Sequence, residues 1–234
     1  MGADAGAPSC GGDPMGRLAA GEEAGEGRPI GSPLQPDAAT RCPTEGRPRL
    51  VLHVCCAPCA TAAIERLQAD HDLVLFWYNP NITDRREHEK RLQEARRHAE
   101  RLGLPLVAPP HDPGAWRVAT RGLEAEPEGG LRCDACFRLR LRATAQAARE
   151  FGMAQFTTTL SISPHKSFKK IKAAGEAAAD ESGKGFLALD LKKRAGFQRS
   201  RELAAEHRLY RQDYCGCEFS RREAQARRAR STRG

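Results

Sequence analysis

The sequence lacks any long run of apolar residues. None of its apolar segments approaches the roughly 20 residues that a membrane-spanning helix requires. The charged, proline-broken N-terminus also has no apolar segment that would serve as a signal peptide. These absences predict a cytoplasmic protein with no membrane partner.

Aromatic residues are scarce at 6% of the chain, and the first 47 residues contain none. Those 47 residues hold ten of the 22 glycines and six of the 15 prolines. Such a segment cannot bury enough apolar surface to offset the entropy lost on ordering. We therefore predict that residues 1–47 form a disordered extension.

The basic charge is unevenly distributed. Residues 1–47 have seven acids against four bases, a net charge of −3. Since the whole chain has a net charge of +8, the remaining residues carry +11. The last 14 residues, 221–234, hold six arginines and one acid, and we interpret them as a loose basic tail. This surplus suits a polyanion such as nucleic acid, although charge that only keeps a protein soluble is an equal alternative.

Short runs rich in branched apolar residues alternate with segments of helical spacing between residues 48 and 220. The predicted strands are Arg49–Val54, Leu73–Tyr78, Leu104–Ala108, Phe156–Ser161 and Phe186–Leu189. The predicted helices are Ala60–Ala69, Arg85–Leu102, Cys133–Glu150, Lys166–Ala179 and Arg201–His207. This alternation predicts one α/β domain, a Rossmann-like parallel sheet flanked by helices. Residues 109–130 are predicted to be an irregular loop that carries Trp116.

Seven of the nine cysteines fall into three groups. The groups are Cys55, Cys56 and Cys59; Cys133 and Cys136; and Cys215 and Cys217. The first group directly follows the first strand, and open α/β sheets bind ligands at the carboxyl ends of their strands. We therefore expect a metal or redox site there. Cys10 and Cys42 have no cysteine neighbours, and we interpret them as incidental.

The grouping permits several chemistries. Two Cys-x-x-Cys pairs can hold zinc or a four-iron cluster, but more than 70 residues separate them, unlike a zinc ribbon. Cys56-Ala-Pro-Cys59 also has the form of a thiol-disulfide exchange motif, and single cysteines often pack as small apolar residues. Cys215-Gly-Cys217 would close a strained, labile disulfide, suited to passing electrons or to binding a metal.

Six segments resemble, in order, blocks of the QueH-type epoxyqueuosine reductases. They are His53-Val-Cys-Cys-Ala-Pro-Cys59, Tyr78-Asn-Pro-Asn-Ile82, Arg132-Cys-Asp-Ala-Cys136 with Arg138-Leu139, Phe156-Thr-Thr-Thr-Leu160, Ile162-Ser-Pro164 and Tyr210-Arg-Gln-Asp-Tyr-Cys-Gly-Cys217. The resemblance covers roughly residues 50–220.

This resemblance implies a set of cofactors and partners. It implies a [4Fe-4S] cluster on Cys55, Cys56, Cys133 and Cys136. A redox-active pair is implied at Cys215 and Cys217, with Cys59 as the candidate ligand of an adjacent mononuclear iron. The implied substrate is epoxyqueuosine at the wobble position of tRNAs with GUN anticodons, those for Tyr, His, Asp and Asn, and the reaction requires an electron donor.

Reducing an epoxide to an alkene takes two electrons and two protons and releases water. An iron-sulfur cluster can supply electrons one at a time, and a metal that acts as a Lewis acid would stabilise the departing oxygen. The protonation needs an acid, and position suggests His53, His165, Asp190, Asp213 and Tyr214. His53 lies within a strand, which favours a hydrogen-bonded core residue instead, and Tyr214 can simply pack.

Aromatic and basic side chains in or beside the same segments are candidates for RNA contact. They are Trp77, Tyr78, Trp116, Arg138, His165, Lys166, Lys169, Lys170, Lys192, Lys193 and Arg194. Two other functions remain open: an ATP-dependent tRNA-modifying enzyme, and a zinc-dependent RNA-binding module. The first needs glycines and a hydroxyl after the first strand, where this chain has Cys-Cys-Ala-Pro-Cys. The second would carry colourless zinc rather than brown iron.

Overall fold

The structure is a computed structural model that describes residues 46–231. Nearly all of the predicted N-terminal extension, with Cys10 and Cys42, lies outside the described residues, as do residues 232–234. Among the described residues, no helix combines the length and the apolar character needed to cross a membrane.

A five-stranded parallel sheet forms the centre of the described chain. Its strands are β1 (Arg49–His53), β2 (Asp72–Phe76), β3 (Leu106–Val107), β4 (Gln155–Thr158) and β5 (Gly185–Phe186). The order across the sheet is β3-β2-β1-β4-β5, and every neighbouring pair is parallel. The predicted Rossmann-like α/β architecture is confirmed. The two edge strands are shorter than predicted because each pairs with a neighbour over two residues only.

Helices cover both faces of the sheet. They are α1 (Ala57–Leu67), α2 (Arg85–Arg101), α3 (Pro113–Ala119), α4 (Leu131–Glu150), α5 (Phe168–Ser182), α6 (Gly196–Glu206) and α7 (Glu218–Ser231). Side chains alternate along each strand, so Leu50 and Leu52 pack with α1, α2 and α6, whereas Val51 packs with α4 and α5. Two apolar layers therefore hold the sheet between them.

The chain reverses its direction across the sheet at β1. From β1 it proceeds outward to β2 and β3, and then returns to β4 on the other side of β1. A crevice opens at such a switch point beyond the carboxyl ends of the two central strands, and ligands bind there in open α/β sheets. Cys55 and Cys56 follow β1 directly, and Thr159 follows β4, so both segments reach this crevice.

The predicted loop over residues 109–130 is wrong in part, because it contains α3. Asp112 caps this helix by accepting a hydrogen bond from the backbone N–H of Ala115 at 3.1 Å, and Pro113 occupies its first turn. Trp116 is buried rather than carried on an exposed loop, with 2% of its surface accessible.

The predicted loose tail is also wrong for residues 221–231, which belong to α7. Arg221 pairs with Asp84 at 2.9 Å, and the guanidinium of Arg228 hydrogen-bonds the carboxylate of Asp213 at 2.7 Å. These acids lie far away in sequence, so counting charges in the tail alone did not reveal its partners. Since α7 begins at Glu218, it also runs through the domain boundary predicted at residue 220.

Candidate functional site

Three cysteines meet at the N-terminus of α1. The Sγ atoms of Cys55, Cys56 and Cys59 all lie within 4.8 Å of one another, and those of Cys55 and Cys56 are 4.0 Å apart. Cys56 is the N-cap residue in extended conformation, and Pro58 lies in the first turn of the helix. Unpaired backbone N–H groups give a helix N-terminus positive character, which stabilises thiolates.

The three thiols share charge unequally. Hydrogen bonds from the Cys56 and Cys59 thiols lower the pKa of Cys55 well below its usual value, and Lys166 and Arg140 add to this. The same hydrogen bonds raise the pKa of Cys56 to about 12 and raise that of Cys59. The negative charge of the group therefore resides on Cys55, and a bound metal would replace the remaining protons.

Two residues outside the predicted site hold this group in place. The hydroxyl of Thr159 lies 3.1 Å from the Sγ of Cys55 and accepts a hydrogen bond from the Cys55 backbone N–H at 3.0 Å. The Gln212 amide donates to Cys56, which opposes the rise in its pKa. Thr159 belongs to the segment Phe156-Thr-Thr-Thr-Leu160 named in the sequence analysis, but nothing in that segment indicated its contact with Cys55.

The other four cysteines line one small cavity. Cys133 lies in the first turn of α4 and Cys136 in the next, and they face Cys215 and Cys217. The backbone N–H of Gly129 donates to the Cys133 Sγ at 3.2 Å, while burial raises the pKa of Cys136 to about 12.

The three cysteine groups of the sequence therefore form two groups in the structure, one at the N-terminus of α1 and one around the small cavity, and Cys215 adjoins both. Cys215 lines the small cavity and also a larger cleft above Cys55, Cys56 and Cys59. Cys59 lies with Cys55 and Cys56, whereas the sequence-based hypothesis set it apart as the ligand of a second iron.

The expected disulfide between Cys215 and Cys217 is absent, because all seven described cysteines are free thiols. The Cys217 thiol turns toward Ser220, with Sγ and Oγ 3.3 Å apart, whereas Cys215 faces the cleft. Arg91 of α2 fixes this turn by donating to the backbone carbonyl of Cys215 at 3.0 Å.

Two cations, one buried and one half-buried, lie among the thiols. Arg140 is 1% exposed and interacts with Cys55 and Cys136. Within the described residues it has no carboxylate partner within 4 Å. Burial acts against the charge of Lys166, yet the neighbouring Cys215, Cys55 and Cys59 raise its pKa. Arg140, a buried cation without a carboxylate, requires another anion, and the charge of Lys166 is favoured by the neighbouring thiols. Both residues are therefore suited to lie beside a group of thiolates.

The acid candidates lie in different settings. His165 is exposed and lines both the small cavity and the cleft. Tyr214 lines the cleft, where burial raises the pKa of its hydroxyl. His53 is fully buried, with its ring nitrogens 2.8 Å from the Thr158 hydroxyl and 3.2 Å from the Tyr78 carbonyl, and burial lowers its pKa to about 3. The core interpretation of His53 is therefore confirmed.

The two aspartates are engaged with cations. A hydrogen bond from Arg228 lowers the pKa of Asp213, which leaves this carboxylate poorly suited to donate a proton. Asp190 lies 3.6 Å from the Lys192 ammonium and lines neither the small cavity nor the cleft.

Three aromatic candidates for RNA contact are excluded by burial. Trp77, Tyr78 and Trp116 expose 1–3% of their surface, so none presents a ring face to a base. Trp77 and Tyr78 directly follow β2 and pack in the two apolar layers of the sheet, and Trp116 packs with Cys136 and Cys217. Among the lysines, Lys170 pairs with Asp134 at 3.0 Å.

The cleft above the first cysteine group encloses about 810 Å³. Its walls come from the end of β1, the segment after β4, α6, the segment before Cys215 and α7. The lining residues that sequence reasoning missed are Arg140, Phe197, Ser200, Arg201, Arg211, Gln212 and Arg227. In sequence they resemble any surface helix or loop, and only the fold brings them together.

The donor set fits iron better than magnesium or calcium, because thiolates are soft ligands. Seven cysteines supply enough thiolates for an iron-sulfur cluster, and the buried Arg140 and half-buried Lys166 would offset its negative charge.

Comparison with known proteins gives a consistent family. The family model described as epoxyqueuosine reductase QueH matches residues 50–223. Proteins of that name from Histophilus somni and Haemophilus influenzae are 37% and 35% identical over 180 and 182 residues. These alignments cover 76% and 77% of this chain and 74% of each relative. The relative from Thermotoga maritima is 33% identical over 79% of this chain and 96% of its own length. Because the family model matches residues 50–223, which include all seven grouped cysteines, the chain belongs to the epoxyqueuosine reductase QueH family.

Proposed function

We propose that this protein reduces the epoxide of epoxyqueuosine at the wobble position of tRNA, giving queuosine and water. The observation that carries the proposal is the open cleft above Cys55, Cys56 and Cys59, at the switch point of the sheet. The family to which the chain belongs is named for this reaction. The substrates would be the tRNAs with GUN anticodons, for Tyr, His, Asp and Asn, in the cytoplasm.

The cysteines would hold a [4Fe-4S] cluster, for which Cys55, Cys56, Cys133 and Cys136 are the proposed ligands. Cys59 lies close enough to Cys55 and Cys56 to bind the same metal or an adjacent mononuclear iron. The cluster would supply the electrons that the reaction consumes. Arg140 and Lys166 support this proposal because they offset the negative charge that the thiolates bring into a buried site.

The chain's own residues would bind the base and protonate the oxygen. His165 is the proposed acid, since it lines the cleft and no carboxylate holds it there. Of the two aspartate candidates, Asp213 is held ionised by Arg228 and Asp190 lies outside the cleft, so both are weaker proposals. Cys215 and Cys217 are proposed to act in turnover as thiols, Cys215 being the one that faces the substrate cleft.

The test is conversion of tRNA that carries epoxyqueuosine. Anaerobically purified protein with measured iron and sulfide is incubated with this tRNA and a chemical reductant, and the digested nucleosides are analysed by mass spectrometry. We expect queuosine, lighter than the starting nucleoside by one oxygen atom. Iron-loaded protein that forms no queuosine contradicts the proposal. Stoichiometric zinc without labile sulfide favours the RNA-binding alternative, and reaction that depends on ATP favours the other.

A further inference from the structure

Three arginines at the rim of the cleft form no ion pair within 4 Å with any acid among residues 46–231. Arg201 comes from α6, Arg211 from the segment before Cys215, and Arg227 from α7. All three are exposed, and none makes an ion pair within 4 Å in the part of the chain that the structure describes. Three elements that are distant in sequence therefore bring unpaired guanidinium groups to one opening.

Neighbouring arginines on the same helices are paired instead. Arg199, two residues before Arg201, donates to both carboxylate oxygens of Glu65 at 3.0 and 2.7 Å. On α7, Arg221 and Arg228 pair with Asp84 and Asp213. The paired arginines attach the helices to the rest of the domain, and the unpaired ones face the cleft.

The cleft keeps a positive surplus after its acids are counted. Three carboxylates line it, those of Glu128, Asp213 and Glu223. Asp213 is paired with Arg228, and Glu223 lies 3.9 Å from Arg132, neither of which lines the cleft. Asp213 also interacts with Arg227, but the three carboxylates are outnumbered by the rim arginines together with the buried Arg140 and the half-buried Lys166.

The cleft also contains a second aromatic ring besides that of Tyr214. Phe197 lies in the first turn of α6 and is half-buried in the cleft wall. The backbone just before it is tightly constrained, because a Cβ at Gly196 would lie 1.9 Å from the carbonyl oxygen of Leu191. A ring held in this way can stack on a nucleobase, whose binding to single-stranded nucleic acid combines stacking with cationic contacts to phosphates.

We propose that Arg201, Arg211 and Arg227 bind backbone phosphates of the anticodon loop, and that Phe197 stacks on a base of that loop. This inference rests on the proposed function and assigns the RNA contacts of the same site. Arg227 lies beyond residue 223, where the match to the family model ends, so that match does not cover this part of the surface.

Charge and shape favour RNA over an acidic protein partner. Arginine forks bind phosphate oxygens with two hydrogen bonds, and an extruded nucleotide requires a concave site. The cleft volume of 810 Å³ lies within the range of about 300–1,000 Å³ typical of small-molecule pockets. A protein donor would instead meet a broad, flatter surface.

The test measures RNA binding separately from catalysis. A fluorescently labelled, unmodified tRNA for Asp is titrated with the iron-loaded protein at several salt concentrations, and binding is followed by anisotropy. Loss of one phosphate contact lowers the slope of log affinity against log salt by about 0.7, which corresponds to about fivefold weaker binding at 0.1 M salt. We expect this for Arg201→Ala, Arg211→Ala and Arg227→Ala, and no change for Arg199→Ala as the matched control.

Phe197 is tested by a change of ring rather than charge. Phe197→Leu should weaken binding about fivefold or more without changing the salt slope, and Phe197→Tyr should restore it. The thermal midpoint of each variant is measured to confirm that the fold is intact.

The outcomes distinguish this inference from the proposed function. If the wild-type protein binds tRNA through these residues but forms no queuosine, the inference about the RNA contacts stands and the proposed function is wrong. Variants that bind tRNA with wild-type affinity and salt slope overturn the inference, whatever the activity. If the arginine variants bind tRNA normally but need more of a protein reductant for turnover, the surface serves the donor and the inference is wrong.

Discussion

Arg140 donates a hydrogen bond to the side-chain oxygen of Asn79, and the Asn79 amide donates in turn to the backbone carbonyl of Val54 at 2.9 Å. This chain of contacts links α4 to the end of β1, one residue before Cys55. The guanidinium is thereby fixed between the two cysteine groups, where its charge interacts with both Cys55 and Cys136.

Replacing Arg140 should weaken metal binding. In Arg140→Met the thiolates lose a buried counter-charge, and we expect metal affinity to fall about 10- to 100-fold, as for other residues that support ligands from outside the coordination sphere. Arg140→Lys should retain an intermediate affinity because it keeps the charge. Iron per chain is measured after anaerobic reconstitution against a graded chelator. Arg138→Met, an exposed change on the same helix, is the control, and equal iron in all variants contradicts the role.

Replacing the proposed cluster ligands with serine should remove iron. We expect Cys55→Ser, Cys56→Ser, Cys133→Ser and Cys136→Ser each to lose most of the bound iron and sulfide, because a hydroxyl is a poor substitute for a thiolate. Cys59→Ser shows whether its proximity to Cys55 and Cys56 reflects a ligand role, since full iron content would assign it another. Cys10→Ser and Cys42→Ser should retain both iron and turnover.

The Cys215-Gly-Cys217 turn should tolerate no side chain at its centre. Gly216 has φ +131°, and a Cβ there would lie 2.8 Å from Ile82 and 3.2 Å from the Arg91 guanidinium. We expect Gly216→Ala to lower the free energy of unfolding by about 1–3 kcal/mol and to lower turnover. Urea unfolding and tRNA conversion are measured on one preparation.

Gly183→Ala provides the comparison for this variant. Gly183 also has positive φ, at +67°, but a Cβ there would meet nothing within 4 Å. It should lose stability and keep turnover per folded molecule. If Gly216→Ala behaves in the same way, the close approach to Ile82 has no functional consequence.

Stability should fall in mild acid because of buried histidines. Burial lowers the pKa of His53 to about 3 and those of His88 and His98 to about 4, all below the usual 6.5. These groups stay neutral in the folded protein, while the unfolded chain binds their protons below about pH 6.5. Their contribution is therefore complete above pH 6.5 and is lost toward pH 4, at up to about 1.4 kcal/mol per pH unit for each histidine.

His98 isolates this effect, since both of its ring nitrogens lack a hydrogen-bond partner in the described residues. In His98→Leu the pH dependence of the unfolding free energy between pH 6.5 and 5 should become shallower by about one proton. Urea unfolding followed by fluorescence of the buried Trp77 and Trp116 measures it. An unchanged slope would show that His98 titrates alike in both states.

The fold was predictable because its strands are apolar runs and its helices carry regular spacing. The first cysteine group could be placed as well, since Cys55 follows β1 in sequence and therefore in space. Arg140 could not, because in sequence it differs in no way from Arg138 and Arg142 on the same helix, both exposed. Burial of one arginine among three depends on the angle at which α4 packs against the sheet.

The helix α7 was missed for a related reason. Arg221 is held by Asp84, 137 residues before it, and Arg228 by Asp213, 15 residues before it, and no regular helical spacing connects either pair. The redox disulfide was predicted from the closeness of Cys215 and Cys217 in sequence, whereas the Gly216 backbone turns their thiols toward different partners.

The large separation in sequence between Cys55 and Cys215 constrains the order in which the site is assembled. The ribosome synthesises Cys55 about 160 residues before Cys215, and folding during synthesis begins from the N-terminal side. The nascent chain therefore exposes reactive thiols, with a lowered pKa at Cys55 once α1 forms, before α7 can close the site. Oxygen and stray metal ions have access to these thiols throughout that interval, so a metal that the first cysteine group binds must compete with them before the cleft is complete.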